Sequence, residues 1–588
     1  MEAGPRSRNR EVAGLLEAIG DLLEVKGEVP FKIAAYRKAA GTIEGLREPI
    51  ERVRAEGRLR EISGIGQALE QKISEFLDTG RLEYYDRLAG EFPPALVELL
   101  RVPGLGARRA RLVFETLGVG SLAELEQAAQ AGRLRGVPGL GEKSEENIVR
   151  ELERLKQRTS RHHLGQVLLL AEAMLADLEQ ASPRGTRLSY AGSLRRMVDT
   201  IGDLDLLAAS ANPEAVVKAF LGLPPVLEVL SAGPVRASVL IQGGLQVDLR
   251  VVEPESWGAA LQYFTGSKAH NVRLRELAVQ RGWKLNEYGL FEERSGRRLA
   301  GEDEADIYRA LDLEFIPPEL READGELEAA AEGRLPKLIE LADLKGDLHL
   351  HSTWSDGGDS LETMANAARA LGHRYMAITD HSKSLGIARG LDEARVREQR
   401  ALVDRLNHEL APFRILHGTE MDILRSGRLD YPDEVLAEYD YVSASIHSGM
   451  RQPEAEMTAR IQRALRNPYV HALNHPHGRL IPQRPAYAVD MQAVIETAAA
   501  EGVALEINSQ PARMDLEGSW ARRARQAGAK FVINTDSHAA DQLTLQRLGI
   551  GSARRGWLEA GDVLNALPPE ELERALRRRR DRPPNEGD

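Results

Sequence analysis

Seven strand-like runs alternate with helical stretches between residues 341 and 575, and they end near His351, His381, Glu420, His447, His475, Asn508 and His538. Repeated βα units imply a parallel barrel, whose active site lies at the C-terminal ends of the strands. Six of these seven ends carry a His or Glu, which a purely structural barrel does not require. Eleven of the 14 histidines fall after residue 345, and His is the commonest transition-metal ligand. The first run reads Gly346-Asp347-Leu348-His349-Leu350-His351-Ser352. A period of two predicts His349 and His351 on one face, with Leu348 and Leu350 on the other. Asp356 follows in the loop, and Asp536 precedes His538 by two. His349, His351, Asp356, His381, Glu420, His447, His475, Asp536 and His538 make nine candidate ligands, enough for three Zn2+ or Mn2+ ions with room for water. Cysteine is absent, so metals must be held by His, Asp and Glu, and disulfides are excluded. His373, His408, His417 and His471 read as structural or surface residues. His477, close to His475, is left unassigned.

A different donor set stands in the first half. Gly192-Ser193-Leu194-Arg195-Arg196 is followed by Gly202-Asp203-Leu204-Asp205. Strand alternation puts Asp203 and Asp205 on one face, with Leu204 and Leu206 directed to the core. Asp248, in Leu245-Gln246-Val247-Asp248-Leu249, follows the same pattern on a later strand. Three like charges on one face are tolerable when divalent cations sit between them, and oxygen-only ligands favour Mg2+, with Mn2+ as substitute. Two such ions activate a hydroxyl and stabilise the leaving group of an in-line displacement.

At 588 residues the chain needs several structural units. Residues 1–158 read as all-helical. One turn recurs there: Ile62-Ser63-Gly64-Ile65-Gly66, Val102-Pro103-Gly104-Leu105-Gly106 and Val137-Pro138-Gly139-Leu140-Gly141. Such a turn offers unpaired backbone N–H groups at a helix start, suited to a nucleic-acid phosphate. Gly64, Gly66, Gly104, Gly106, Gly139 and Gly141 are therefore candidate DNA contacts. The net charge of −12 argues weakly against DNA binding, but residues 1–158 balance 26 basic against 26 acidic groups. Residues 159–318 read as mixed α/β, and 319–340, rich in Glu and Ala, as a linker with some helix. The closing Arg577–Arg580 run reads as a solvated helix end, with DNA contact as the alternative. No apolar run approaches the ~20 residues of a membrane span. The polar, basic Met1–Arg10 segment lacks a secretory pattern, so a cytoplasmic protein is expected.

Two resemblances organise these features. Residues 1–318 resemble family X DNA polymerases of the polymerase beta type, and 341–575 resemble a PHP (polymerase and histidinol phosphatase) domain. The first implies a small N-terminal lyase-like domain (1–90) and a helix-hairpin-helix subdomain (91–158). It also implies a nucleotidyltransferase palm (159–254) and a nucleotide-binding subdomain (255–318). The linker (319–340) then leads to a distorted (β/α)7 PHP barrel (341–575). In PFKIAAYRKAA and ISGIGQALEQKISEFL, the resemblance implies phosphate contacts for Lys32 and Tyr36. Lys72 would be a Schiff-base lysine or a phosphate ligand; Ala68 stands where the family usually has a basic residue. Ser193, Arg196 and Gly202 would serve the triphosphate. In YFTGSKAHNVRLR, the turn Tyr263, Phe264 and Gly266 would lie under the incoming sugar, and Asn271 and Arg275 would meet the nascent pair and the template. Lys268 replaces an Asp of the animal enzymes. The resemblance implies an enzyme that fills gaps in gapped or nicked DNA from deoxynucleoside triphosphates; a monomer is expected. It also implies a barrel acting as 3'-5' exonuclease, 3' phosphatase or abasic endonuclease. Two other readings stay open: a PHP phosphatase of small molecules with a vestigial first half, and a non-enzymatic scaffold for DNA ends.

Overall fold

The structure, a computed structural model, describes residues 6–44, 50–62, 64–91, 96, 99, 102, 105–159, 161–241 and 244–580. Contacts divide it into two compact units, Met1–Thr159 and Ser160–Asp588.

The first unit is helical. Helices Arg6–Lys26, Pro30–Glu44, Ile50–Ala55, Gln67–Thr79 and Glu83–Glu91 surround an apolar cluster that includes Leu16, Ile19, Leu23, Ile43 and Ile73. Helices Ala107–Leu117, Leu122–Gln130 and Glu142–Thr159 surround a second, with Leu105, Val113, Leu125, Leu134 and Leu140. The three recurrent turns are one device. In each, the fourth residue's N–H returns to the first residue's carbonyl: Ile65 to Ile62 at 3.0 Å, Leu105 to Val102 at 2.9 Å, and Leu140 to Val137 at 3.0 Å. Both apolar residues of each turn are buried, which fixes the turn to the core and leaves the following helix start outward. Gly64 and Gly139 adopt φ of +93° and +83°, a region that favours glycine. Gly104 lies outside the described residues.

Among the described residues the second unit holds four sheets, of two, five, three and seven strands. The short strands β1 (His162–His163) and β3 (Thr200–Ile201) pair beside the palm sheet. That sheet contains β2 (Arg187–Tyr190), β4 (Asp203–Ala209), β5 (Val226–Gly233), β6 (Arg236–Ile241) and β7 (Gln246–Val252), in the order β2-β4-β7-β6-β5. Strands β4 and β7 run parallel, placing Asp205 beside Asp248. Strands β8 (Trp283–Asn286), β9 (Gly289–Glu292) and β10 (Arg298–Ala300) form an antiparallel sheet that follows two helices, Trp257–Thr265 and Lys268–Gln280. Residues 319–340, expected as a linker, are packed: Leu320, Leu327, Ala330 and Leu338 share one buried cluster with Leu274, Leu290 and Tyr308. Their apolar residues were spaced to be buried, but the Glu content masked the pattern.

Strands β11 (Gly346–Leu350), β12 (Tyr375–Ile378), β13 (Arg414–Asp422), β14 (Tyr441–Ser445), β15 (Ala472–Leu473), β16 (Ala504–Asn508) and β17 (Phe531–Asn534) form a seven-stranded parallel sheet in chain order. A bridge from Leu350 to Ser537 brings its two edges together. Leu348, Tyr375, Ala377, Leu416, Tyr441, Ala472, Ala504 and Val532 form one cluster to which all seven strands contribute, so it fills the interior. Leu572 and Leu576 of the Pro569–Arg580 helix join it. Leu350, expected on the same face as Leu348, belongs instead to the cluster under the Leu361–Ala370 helix. The register shifts between Asp347 and Leu350, and such an irregularity breaks the period of two.

The Arg577–Arg580 run departs from the expected solvated end. Arg579 is 8% exposed and donates from Nη2 to the carbonyls of Leu465 and Asn467 at 2.7 and 3.1 Å. Arg580 reaches the Tyr439 carbonyl. Arg577 stays outward beside Glu573. The palm and barrel share a core as well: Leu548 and Met514, from the barrel, lie in the cluster of Leu164, Leu168 and Leu204. Gly165 permits this approach, since a Cβ there would stand 2.8 Å from Leu548 and 2.9 Å from Pro511.

Candidate active sites

Tight local geometry shapes the palm site. The turn at Gly192 lies over Asp205: an added Cβ would stand 2.1 Å from Asp205 Oδ2, and φ is +59°. Burial, then Asp203 and Asp248, push the Asp205 carboxyl up to about 7, opposed by Arg196. Asp248 accepts from Gln246 Nε2 at 3.1 and 3.0 Å. A cleft of about 450 Å³ opens here, lined by Asp205, Asp248, Ser231, Ser238, Arg250 and Phe264 among others. Ser193 sits in the short Gly192–Arg195 helix, and Gly202 immediately precedes β4. Arg196 donates from Nη1 to the Thr265 carbonyl at 2.5 Å and from Nε to Glu322 at 3.2 Å. The Tyr263 and Phe264 rings meet edge to face at 5.2 Å, and Gly266 follows at φ +69°. Asn271 Nδ2 donates to the Tyr263 carbonyl at 2.7 Å, while Gln262 holds its Oδ1 at 2.7 Å. Arg275, exposed on the same helix, returns to the Asn271 carbonyl at 3.2 Å.

Beneath this turn runs a buried ion network missed in the sequence. Glu304 accepts from Arg195 at 2.9 and 2.7 Å and from the fully buried Arg321 at 2.6 Å. A buried carboxylate needs such partners. Its members lie 109 and 17 residues from Glu304, beyond the reach of local pattern.

In the barrel, the nine candidate ligands converge. Glu420 is the hub: its carboxylate lies 3.3 Å from His349 Nε2, 3.5 Å from His351 Nε2, 3.1 Å from His381 Nδ1, 3.3 Å from His447 Nε2 and 2.9 Å from His475 Nε2. Asp536 Oδ1 is 3.5 Å from His349 and 3.3 Å from His351. Asp356 stands 3.4 Å from His381 and 3.5 Å from His538. Three overlapping groups offer ligand atoms within 4.8 Å of one another: His351, Asp356, His381 and His538; His349, His351 and Asp536; His381, Glu420 and His447. Both ring nitrogens of His351, and Nδ1 of His381 and His475, are buried without a hydrogen bond. Buried polar atoms normally have partners, and nitrogen and oxygen donors so arranged fit borderline divalent cations. Burial and the neighbouring His538 and His381 drive the His351 imidazole down to about 3, which disfavours its protonated form.

Outer partners aim these ligands, and several escaped the sequence reading. Glu506 holds His349 Nδ1 at 2.7 Å, and Asp422 holds His447 Nδ1 at 3.0 Å, which turns each Nε2 toward Glu420. Asn508, the strand end without an ionisable group, donates to Glu506 and Asp536 at 3.1 Å each. Asp380 grips Ser352 and Ser355 at 2.7 and 2.5 Å, shaping the loop that carries Asp356. Its place beside His381 was the available signal. His417 and His471 are buried away from the hub, stacked on Tyr439 and Tyr441. A fourth group, His477, Asp515 and Glu517, is already partnered. Asp515 accepts from the His477 and Gly478 N–H groups, Glu517 pairs with His477 and Arg479, and Arg479 continues to Asp199 of the palm at 2.8 Å. It ties barrel to palm. Among the described residues all four groups lie in the barrel; the palm acids, three like charges, are looser.

In the helical unit, Lys72 Nζ lies 4.7 Å from the Tyr84 ring centroid, and Tyr84 stacks on Tyr36 at 6.2 Å. Burial, then Lys32 and Arg87 against the opposing Glu75, lower the Lys72 amine below its ordinary value. Lys32 pairs with Glu28 at 2.9 Å. Tyr84 was not singled out from sequence. Gly66 and Gly106 cap the helices that follow them with extended backbone, and Gly141 immediately precedes a third, Glu142–Thr159.

Four family models match the chain, and they follow this architecture. A helix-hairpin-helix domain matches residues 7–82, a SAM-like helix-hairpin-helix tandem 96–154, the DNA polymerase beta thumb 260–322 and the PHP domain 347–510. Polymerase-beta modules and a PHP barrel on one chain define its class. The DNA polymerase/3'-5' exonuclease PolX of Bacillus subtilis (strain 168) is 39% identical over 571 residues, 97% of this chain and 99% of that protein. The chain belongs to the PolX family, family X DNA polymerases with a PHP domain. A "Probable phosphatase" of Acetivibrio thermocellus is 32% identical over 205 residues, 33% of this chain and 78% of that protein. Among the described residues no helix is long and apolar enough to cross a membrane.

The hub geometry makes one demand. Glu420→Gln is expected to bind far less divalent metal than the parent chain, and His538→Gln, at the rim, to lose a smaller share. Metal content per chain by mass spectrometry checks this; equal retention in both variants would contradict a hub.

Proposed function

We propose that the chain fills short gaps in DNA by template-directed nucleotidyl transfer in the palm and trims 3' ends by phosphoester hydrolysis in the barrel. The observation that carries this is the pair of donor sets on one chain: Asp205 in register with Asp248, and the imidazoles gathered on Glu420. The near full-length similarity to a protein named as polymerase and 3'-5' exonuclease supports it.

Asp203, Asp205 and Asp248 would hold Mg2+ or Mn2+, and the nine barrel ligands three Zn2+ or Mn2+. Bound cations supply Lewis acidity to phosphoryl oxygens and make a hydroxyl or water a stronger nucleophile. The chain's own residues do the rest. Ser193 and Arg196 donate to the triphosphate, and the bare Gly192 lets their turn lie against Asp205. Tyr263, Phe264 and Gly266 floor the sugar, with Asn271 holding the Tyr263 carbonyl. Helix starts at Gly66, Gly106 and Gly141 take DNA phosphates. In the barrel, Glu506 and Asp422 fix the tautomers of His349 and His447. Arg513, 3.1 Å from Asp536, is the guanidinium at hand for a substrate phosphate.

A lyase step is the second reading, favoured by Lys72 against Tyr84. A partly buried amine with a lowered pKa is the form that condenses with an abasic-site aldehyde.

On one gapped duplex, Asp205→Ala is expected to lose extension by about 100-fold or more while hydrolysis persists, and His349→Ala the reverse. Loss of both activities in either variant would refute separate centres. For the lyase step, borohydride trapping on an abasic duplex should rise with pH to a plateau reached below the ordinary lysine pKa, because deprotonation frees the amine. Lys72→Ala should abolish it; undiminished trapping in that variant would place the chemistry elsewhere.

A further inference from the structure

The nucleotide turn of the palm is held from behind by the barrel. Helix Gln546–Arg555 ends in Arg555, whose Nη1 donates to the Arg196 carbonyl at 2.9 Å and to Glu322 Oε1 at 2.9 Å. The same Glu322 oxygen accepts from Arg196 Nε at 3.2 Å. Thus one carboxylate is shared by two guanidiniums, one from each domain. Arg196 in turn holds the Thr265 carbonyl, the last helical residue before Gly266. A single barrel residue therefore touches the turn that carries the triphosphate donors, and through Arg196 the turn that floors the sugar.

Close packing fixes this contact. Met197, next to Arg196, adopts φ +55°, and its side chain lies where a Cβ on Gly551 of the same barrel helix would stand, 2.6 Å from Cε and 2.9 Å from Cβ. Arg555 is seated on Gly518, whose added Cβ would lie 2.6 Å from Arg555 Cβ. Its side chain is 19% exposed, so little rotamer freedom remains to be lost when it binds. Arg196 and Glu322 are similarly enclosed, at 15% and 35%. Both bonds leave the one nitrogen Nη1, so the ammonium of a lysine reproduces the contact in part.

We propose that Arg555 is a positioning residue for the incoming nucleotide, supplied to the polymerase site by the PHP domain; this rests on the polymerase reading above. Arg555 sets the height and orientation of Arg196, and so the affinity for the triphosphate. It takes no part in the chemical step.

The neighbouring Arg554 is the control. It is on the same helix and also crosses the interface, pairing with Glu319 at 2.7 Å and the Ile339 carbonyl at 3.2 Å, away from the nucleotide turn. Single-nucleotide gap filling with the full chain gives KM for the deoxynucleoside triphosphate and kcat, alongside Tm. Arg555→Ala is expected to raise KM by about tenfold with kcat within about twofold, the signature of lost uniform binding. Arg555→Lys should recover part of it, and Arg554→Ala should leave KM near the parent value. KM unchanged in Arg555→Ala, or KM, kcat and Tm moving together and equally in both alanine variants, would overturn the proposal. If the parent chain extends no gapped primer, the polymerase reading falls and this inference with it; if the parent extends and the two alanine variants match, this inference alone falls.

Discussion

Charge concentrated out of water needs compensation, and that requirement shapes the barrel mouth. Glu420 is 2% exposed, yet five imidazoles stand within 3.5 Å of its carboxylate. Removing such groups from water is costly unless opposite charges face them. Glu506 and Asp422 hold the far nitrogens of His349 and His447, and the Asp536 carbonyl lies 2.9 Å from His538 Nδ1. Six of the seven strands deliver a His or Glu at or near the C-terminal end, and Leu572 and Leu576 join the apolar cluster of the interior.

The palm meets the same constraint with different chemistry. Its donors are carboxylates alone and fewer, and burial first, then Asp203 and Asp248, raises the Asp205 carboxyl. Hard oxygen donors suit Mg2+, and mixed nitrogen and oxygen sets suit Zn2+ or Mn2+. The two donor sets would therefore differ in the ions they favour. They are not mechanically independent. Met514 and Leu548 of the barrel lie in the palm core, and Arg479, Arg547 and Arg555 cross between the two.

Much of this was legible in the amino-acid order. His349 and His351, two residues apart, and Asp203 and Asp205, likewise, stand out as paired donors at the ends of strand-like runs. The repeated hairpin turns announce themselves by their glycines. Other features depend on partners that sequence distance hides: Glu506 lies 157 residues from His349, and Arg195 lies 109 from Glu304. The bulge that separates Leu348 from Leu350 depends on the register with β12, a property of two strands rather than one. Residues 319–340 read as linker because Glu outweighed the buried Leu320, Leu327 and Leu338. Tyr84 carried no motif, and only folding sets it between Lys72 and Tyr36.

Separate cation centres are tested most directly by anomalous diffraction from crystals of the full chain grown with Mn2+. Peaks are expected at two places, among Asp203, Asp205 and Asp248, and around Glu420 between the barrel imidazoles. A map with density at one of these places only, or with ions bound elsewhere while both donor sets stay protein-paired, would contradict them.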